Sequence, residues 1–368
     1  MSALINAVDA LLQTQRTAHP PMVIADDSSV REFLKPIEHL LKHGKVMEIC
    51  INTPGEVHVE LADGWQLLQV PEMTRERCHY LARAIATLLS DRIDRGKPIL
   101  SGDLPTEERI QIVMPPAVRG DISITIRKPA GQRLTLEQLD GQGMFERVRE
   151  ASTELAPYQK ELLQLKRERR FKEFLRKAMQ HRLTIVTTGE TGTGKTTLMR
   201  ALLNEIDPRE RIITIEDAHE LQMPDRANRV HLIYTKGAQA AEGVAPVTPQ
   251  DLLASCMRMR PDRIFLAELR GSETFDFVSL GLSGHDGSLT SMHAASPAAA
   301  FRRMGMLCMQ SEQGRALPYE QIQALLHMVV DVVLQIARPA DRRGRYIDEI
   351  HYDPQARLDA ARALMRRP

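Results

Sequence analysis

The segment Gly189-Glu-Thr-Gly-Thr-Gly194-Lys195-Thr196 constrains this chain more than any other. It fits G-x-x-x-x-G-K-[ST] at every fixed position, and in a chain of 368 residues a chance match is expected roughly 1 time in 100. The run Leu-Thr-Ile-Val-Thr-Thr at 183–188 predicts a strand before it, and Lys195–Ile206 predicts a helix after it. Gly189, Gly192 and Gly194 let the backbone curl until successive N–H groups point inward at phosphate oxygens. The helix N-terminus adds partial positive charge. Glu190, Thr191 and Thr193 complete the loop. Lys195 is placed for β- and γ-phosphates, and the Thr196 hydroxyl, with Thr197 beside it, is placed for Mg²⁺.

A strand–loop–helix of this kind belongs in an α/β layer fold with a largely parallel sheet. The sequence from residue 183 alternates accordingly. Strands are predicted at Leu183–Thr188, Arg211–Glu216, Arg229–Ile233, Arg263–Glu268, Ser288–Met292, Val329–Ala337 and Tyr346–Tyr352. Helices are predicted at Pro249–Met257, Glu273–Leu282, Pro297–Cys308 and Pro318–His327, with a short amphipathic tail from Ala356. Residues 1–155 read as a smaller α+β domain. Short strands at Val46–Ile51, Val57–Leu61 and Trp65–Val70 are separated by Thr53-Pro54-Gly55 and Asp63-Gly64, and a helix capped by Thr74 follows. Arg109–Met114 and Asp121–Arg127 then alternate apolar and polar residues. The organisation expected is therefore 1–155, a basic linker and helix at 156–182, a phosphate-binding domain at 183–355 and a tail at 356–368.

Composition narrows the class. Lys and Arg total 49 against 48 Asp and Glu, so the chain is not coated in positive charge for nucleic acid. Residues 158–182 are a local exception, with nine Lys or Arg against three Glu. Base-stacking aromatics are scarce there, so a solvated helix face is expected and direct nucleic-acid binding is not. Cys50, Cys78, Cys256 and Cys308 lie far apart without a C-x-x-C pair, which speaks against a disulfide framework or zinc ribbon and for a reducing compartment. No apolar run is long enough for a membrane span. Asp9 interrupts what would have to be the apolar core of a signal peptide.

A phosphate loop needs carboxylates at neighbouring strand ends, because ligands of open α/β sheets sit beyond the carboxyl ends of strands. Ile212-Ile-Thr-Ile-Glu216-Asp217 supplies one such end, with Glu220 three residues on, and Arg263-Ile-Phe-Leu-Ala-Glu268 another. His293 stands at the end of the strand that follows the glycine-rich Gly281–Gly287 segment, where it is placed to donate to a γ-phosphate. Arg127 ends the strand Ile122-Ser-Ile-Thr-Ile-Arg on the same face as Ser123 and Thr125, as a strand-end guanidinium suited to a phosphate.

The order of these segments resembles the secretion (traffic) ATPase superfamily, most closely the hexameric ATPases of bacterial type IV secretion and conjugation systems. The resemblance is carried by Gly-Glu-Thr-Gly-Thr-Gly-Lys-Thr-Thr at 189–197, Thr-Ile-Glu-Asp-Ala-His-Glu-Leu at 214–221, Arg-Met-Arg-Pro-Asp-Arg-Ile at 258–264, Ala-Glu-Leu-Arg-Gly-Ser-Glu at 267–273 and Ser-Gly-His-Asp-Gly-Ser-Leu-Thr-Ser-Met-His-Ala at 283–294. It extends to Glu108–Ala117 and Ile122–Pro129 in the first domain. Ala267 replaces a usual Gly, and Ser283 and Ser291 replace frequent Thr, all small changes. The resemblance implies a RecA-like P-loop ATPase domain behind a smaller α+β N-terminal domain. It implies ATP and Mg²⁺ as ligands, with Lys195 and Thr196 on phosphate and metal. Glu268 is then the carboxylate that polarises water or holds metal, Glu216 its neighbour and His293 the γ-phosphate contact. Arg127 and Arg109 reach the nucleotide from the N-terminal domain.

By the same resemblance the working form is a homo-hexamer. It sits in the cytoplasm at the inner membrane, beside the membrane and coupling components of a secretion channel, with an anionic lipid surface as a further partner of clusters such as Arg167–Lys172. The alternatives are a type II secretion or pilus-retraction ATPase, many of which carry a paired C-x-x-C module missing here, and a nucleic-acid translocase on the same core.

Overall fold

The computed structural model describes residues 27–129, 134–148, 154–235, 246–339 and 344–365. The N-terminal stretch around Asp9 and the last residues of the tail lie outside them. Two sheets dominate. The first comprises β1 (Glu48–Thr53), β2 (Glu56–Leu61), β3 (Gly64–Gln69), β4 (Ile99–Asp103), β5 (Arg109–Val113) and β6 (Ser123–Arg127) in the order β3-β2-β1-β6-β5-β4. Every pairing is antiparallel. Helix Arg75–Leu88 covers one face with Cys78, Leu81, Ala82 and Ile85, and the Thr74 hydroxyl caps it by accepting from the Arg77 N–H at 3.2 Å. The alternation in β5 and β6 places Gln111, Ser123 and Thr125 on the more polar face of the sheet. All three are buried, because that face packs on the second domain.

The second sheet comprises β7 (Ile185–Thr188), β8 (Ile212–Glu216), β9 (Arg229–Ile233), β10 (Arg263–Leu266), β11 (Leu289–Met292), β12 (Val332–Ala337) and β13 (Tyr346–Tyr352). Their order is β13-β12-β7-β11-β10-β8-β9, parallel except for β13. β7, β8, β10 and β11 are buried throughout and read as near-continuous apolar or small residues, as a sheet covered on both faces requires. The basic segment forms two helices, Pro157–Arg167 and Phe171–Gln180, broken at Arg169 with φ of 58°. Leu162, Leu165, Phe174 and Met179 insert into the same core as Ile185, Met199 and Phe265. The segment expected as a linker is thus part of the covering layer of the parallel sheet. Much of its charge is paired, by Arg170 with Glu168 and Glu173, Lys177 with Glu161 and Arg176 with Glu205 beyond the segment.

The N-terminal domain docks on the amino edge of the parallel sheet. Its partners there are Arg211, Asn228 and the Met259–Asp262 turn, which precede β8, β9 and β10. Arg211 is fully buried and donates to Met259 O, Asn52 Oδ1, Asn228 Oδ1 and Thr125 Oγ1, while its guanidinium lies 5.8 Å from the centre of the Trp65 ring. Trp65 Nε1 donates to Asp262 Oδ2 at 3.1 Å, and Arg260 forms a forked pair with Glu60. Beside this, the turn after β5 bridges to the outer strand, with Ile233 N–H donating to Ala117 O and Arg119 N–H to His231 O, both at 2.8 Å.

Candidate functional site

The phosphate loop connects β7 to helix Lys195–Leu203 at the carboxyl edge. Gly189, Gly192 and Gly194 have φ of 148°, 75° and 97°, so all three adopt backbone that L side chains rarely take. At Gly189 space matters too, since a Cβ would meet Ile336 O at 2.4 Å. The loop wraps the Lys195 side chain. Its Nζ donates to Gly189 O at 2.9 Å and Glu190 O at 3.0 Å. Burial pushes the Lys195 ammonium below the ordinary lysine value, against the opposing field of Glu268. A cavity of about 760 Å³ opens beside the loop, lined among others by Gly189, Glu190, Thr191, Thr193, His293 and Arg338.

His293 joins two strands' chemistry. Its Nδ1 lies 3.0 Å from Gly189 O and 3.3 Å from Lys195 Nζ, and its Nε2 lies 3.4 Å from Glu268 Oε1. Nδ1 either donates to the Gly189 carbonyl or accepts from the Lys195 ammonium, according to the tautomer of the ring. Glu268 follows β10 by two residues. Its Oε2 accepts from Arg270 Nη2 at 2.5 Å, and Arg270 Nη1 donates to Asp217 Oδ2 at 3.1 Å. The hydrogen bond to Glu268 raises the Arg270 pKa further. Lys195, His293, Glu268, Arg270 and Asp217 therefore form one continuous polar chain along the ends of β7, β11, β10 and β8.

Glu216 is placed differently from the expectation. It is fully buried and lies beneath the edge rather than in the cavity. Its Oε1 accepts from the N–H groups of Glu220 and Leu221 at 2.9 and 2.8 Å, and its Oε2 from the Thr214 hydroxyl at 2.8 Å. Burial alone would raise its pKa. The contact with His231 and the hydrogen bonds from Leu221, Thr214 and Glu220 outweigh that and hold it low. The carboxylate that meets the loop is Glu220, whose Oε2 accepts from the Thr196 hydroxyl at 2.8 Å. Glu216 thus pins the turn that presents Glu220.

Arg109 and Arg127 are opposite one another in the β5–β6 ladder. They line clefts with Glu48, Glu60, Arg258 and Arg260, at the amino edge. The structure does not bring them to this chain's own phosphate loop, because β6 ends beside the turn that precedes β10 while the loop lies at the strands' opposite ends. Two cations that sequence reading missed do sit there. Arg338 Nη2 donates to Gly192 O at 2.8 Å, and Arg345 packs over Gly194. They come from the ends of β12 and the turn into β13, so no local pattern ties them to the motif. Arg270, two residues after Glu268, was legible in principle as a charge beside the predicted carboxylate. Thr197 is exposed on the helix.

The type II/IV secretion system protein family matches residues 31–360. The type IV secretion system protein VirB11 of Brucella abortus is 48% identical over 332 residues, which span 90% of this chain and 91% of its own. The type IV secretion system protein PtlH of Bordetella pertussis is 39% identical over 86% of this chain and 93% of its own. Among solved structures, the VirB11 ATPase from the Brucella suis type IV secretion system, in complex with sulphate, matches with a TM-score of 0.87 and 45% identity, covering 92% of this chain and 98% of that one. A glycine cradle around a buried lysine, continued by a relay of carboxylates across the strand ends, agrees with these likenesses, and the chain belongs to the type II/IV secretion system protein family, among the VirB11-type ATPases of type IV secretion systems.

Proposed function

We propose that this chain hydrolyses ATP as the motor of a bacterial type IV secretion or conjugation apparatus, converting binding and hydrolysis into domain motion that powers pilus assembly or substrate transfer. The observation that carries the reading is the polar chain from Lys195 through His293 and Glu268 to Asp217. On nucleotide binding, the Lys195 ammonium exchanges the carbonyls of Gly189 and Glu190 for β- and γ-phosphate oxygens. The loop N–H groups and the helix N-terminus hold the remaining negative charge. Thr196 and Glu268, joined by Glu220, are the oxygen donors that fit Mg²⁺, which neutralises phosphate charge when bound. Glu268 orients the attacking water. His293, touching both the loop and Glu268, senses the γ-phosphate and passes its loss to the strand ends.

Arg127 and Arg109 serve the nucleotide of a neighbouring subunit in a homo-hexameric ring, since they lie at the edge opposite their own loop. Apolar side chains left exposed in the segment after β6, Leu136 at 68% and Val148 at 77%, suit an interface between copies. Among the described residues no helix is long and apolar enough to cross a membrane. Peripheral attachment to the inner membrane rests on channel components and, more weakly, on Arg167–Lys172 meeting anionic lipid. Phosphate release tests the chemistry. Lys195→Ala loses turnover by at least about 100-fold. Glu268→Gln keeps nucleotide binding and loses hydrolysis. Wild-type rates in either variant overturn the assignment, and a monomeric mass with ATP present overturns the ring.

A further inference from the structure

Beneath the turn that presents Glu220 lies a group of side chains that the nucleotide chemistry does not use. Glu216 Oε2 is 3.6 Å from His219 Nδ1 and 3.6 Å from His231 Nδ1, and the three residues bring one donor atom each to within 4.8 Å of the others. These separations are too long for hydrogen bonds. They are close to the spacing of about 3.4 Å expected between donors that share a tetrahedral ion at about 2.1 Å. His219 Nδ1 is buried and has no hydrogen-bond partner among the described residues. The two imidazoles meet edge to face with centroids 4.3 Å apart. Both rings also line a cavity of about 440 Å³ between the domains. That cavity gives an entry path and room for a water as fourth ligand.

We propose that Glu216, His219 and His231 form a binding site for a zinc-class divalent cation, distinct from the oxygen-ligand magnesium position at Thr196. Two imidazoles and one carboxylate are the donor set that favours zinc, cobalt or nickel over magnesium. Glu216 serves both jobs because its oxygens are divided. Oε1 holds the N–H groups of Glu220 and Leu221, leaving Oε2 for the ion. Thr214 keeps its hydroxyl on Oε2, at 2.8 Å, and anchors the carboxylate from behind. His231 Nδ1 is now 2.9 Å from that hydroxyl, to which it donates because Thr214 gives its own proton to Oε2; on ligation the ring switches tautomer, carries its proton on Nε2 and offers Nδ1 to the ion. The bound cation staples the end of β8, the following turn and β9 together. Because β9 also carries the bridge to Val118 of the N-terminal domain, the staple ties domain docking to the turn that holds Thr196.

The test uses the full chain, stripped with chelator and free of nucleotide, titrated with Co²⁺ and then Zn²⁺. One Co²⁺ per chain is expected, with the visible absorption of a four-coordinate site that Zn²⁺ abolishes and excess Mg²⁺ does not. Zn²⁺ raises the melting midpoint by a few degrees, as any ligand of the native state does. His219→Ala and His231→Ala each weaken binding at least tenfold while far-UV dichroism and nucleotide binding persist, which separates ligand loss from unfolding. If either variant fails to fold, His219→Gln and His231→Gln repeat the measurement. Absence of saturable Co²⁺ binding, or binding unchanged in the double variant, overturns the proposal.

Discussion

The two edges of the parallel sheet carry the same kinds of charged residue and use them in opposite ways. At the amino edge, Arg211 and Arg263 are fully buried and held by fixed partners, although Arg263 Nη1 has no acceptor among the described residues. Arg263 makes a fork with Glu210 at 2.8 and 2.9 Å, and Arg211 is shared among four acceptors. At the carboxyl edge, Lys195, His293, Glu268 and Arg270 are paired in series beside a cavity, and Arg270 is 45% exposed at the side chain. Buried, paired charges hold a fold because losing one strands its partners. Charges paired in series and open to solvent can trade partners when a ligand arrives. Burial therefore separates the holding arginines from the working ones where residue type does not.

The comparison breaks if both edges respond alike to mutation. The largest expected effect is Arg211→Ala. It opens a cavity between the domains and strands Asn52, Asn228 and Met259 O, costing about 3 kcal/mol or more by denaturant unfolding. Glu220→Gln at the other edge should lower magnesium-dependent turnover by about 100-fold with no change in unfolding midpoint. A stability loss in Glu220→Gln matching that of Arg211→Ala would erase the distinction.

Glu48 sharpens the comparison from inside the docking cleft. It is buried beside Glu60, and its Oε1 has no hydrogen-bond partner among the described residues. Burial pushes its carboxyl up to about 7, against the pull of Arg127 and with a further push from Glu60. A carboxyl raised in the folded state stabilises in its neutral form. That contribution is complete below the unfolded value of 4.5 and is lost as pH rises towards 7. Glu48→Gln should therefore match wild type near pH 4 and exceed it by about 3 kcal/mol at pH 8. Equal stability at both values would mean that water reaches the carboxylate.

What was legible in sequence divides along the same line. The phosphate loop and the strands around it announce themselves because close backbone approach demands glycine and because strands buried on both faces must be apolar. Lys195 and Thr196 follow from that loop and Glu268 and His293 from their strand ends and the family resemblance; Lys195, His293 and Glu268 stand in series in the structure. Glu216 and Glu220 stand on one short turn, and sequence cannot say which carboxylate turns inward. Only the N–H groups that Glu216 accepts decide it. Arg109 and Arg127 carry a clear alternation pattern, yet alternation fixes a face of a sheet and says nothing of which edge that sheet docks against. Strand β4 was missed because Ile99-Leu-Ser-Gly-Asp103 has a single fully buried apolar residue, Leu100, and takes its strand character from pairing with β5.

The smallest expected effect isolates burial from geometry. Arg170 grips Glu173 with two hydrogen bonds at 2.8 and 2.5 Å, a fork as well formed as that between Arg263 and Glu210. The difference lies in solvent. Arg170 is 50% exposed and Glu173 46%, whereas Arg263 is 1% exposed. In water the fork replaces hydration of nearly equal value, and Arg170 also keeps Glu168 as a second partner. Glu173→Ala should leave the melting midpoint unchanged at physiological salt, while Arg263→Ala, which takes the fork from Glu210 in a mostly buried position and leaves it Arg182 as its ion pair, lowers it by several degrees. If the two substitutions shift the midpoint equally, pairing geometry and not desolvation governs these charges, and the division between the two edges must rest on something other than burial.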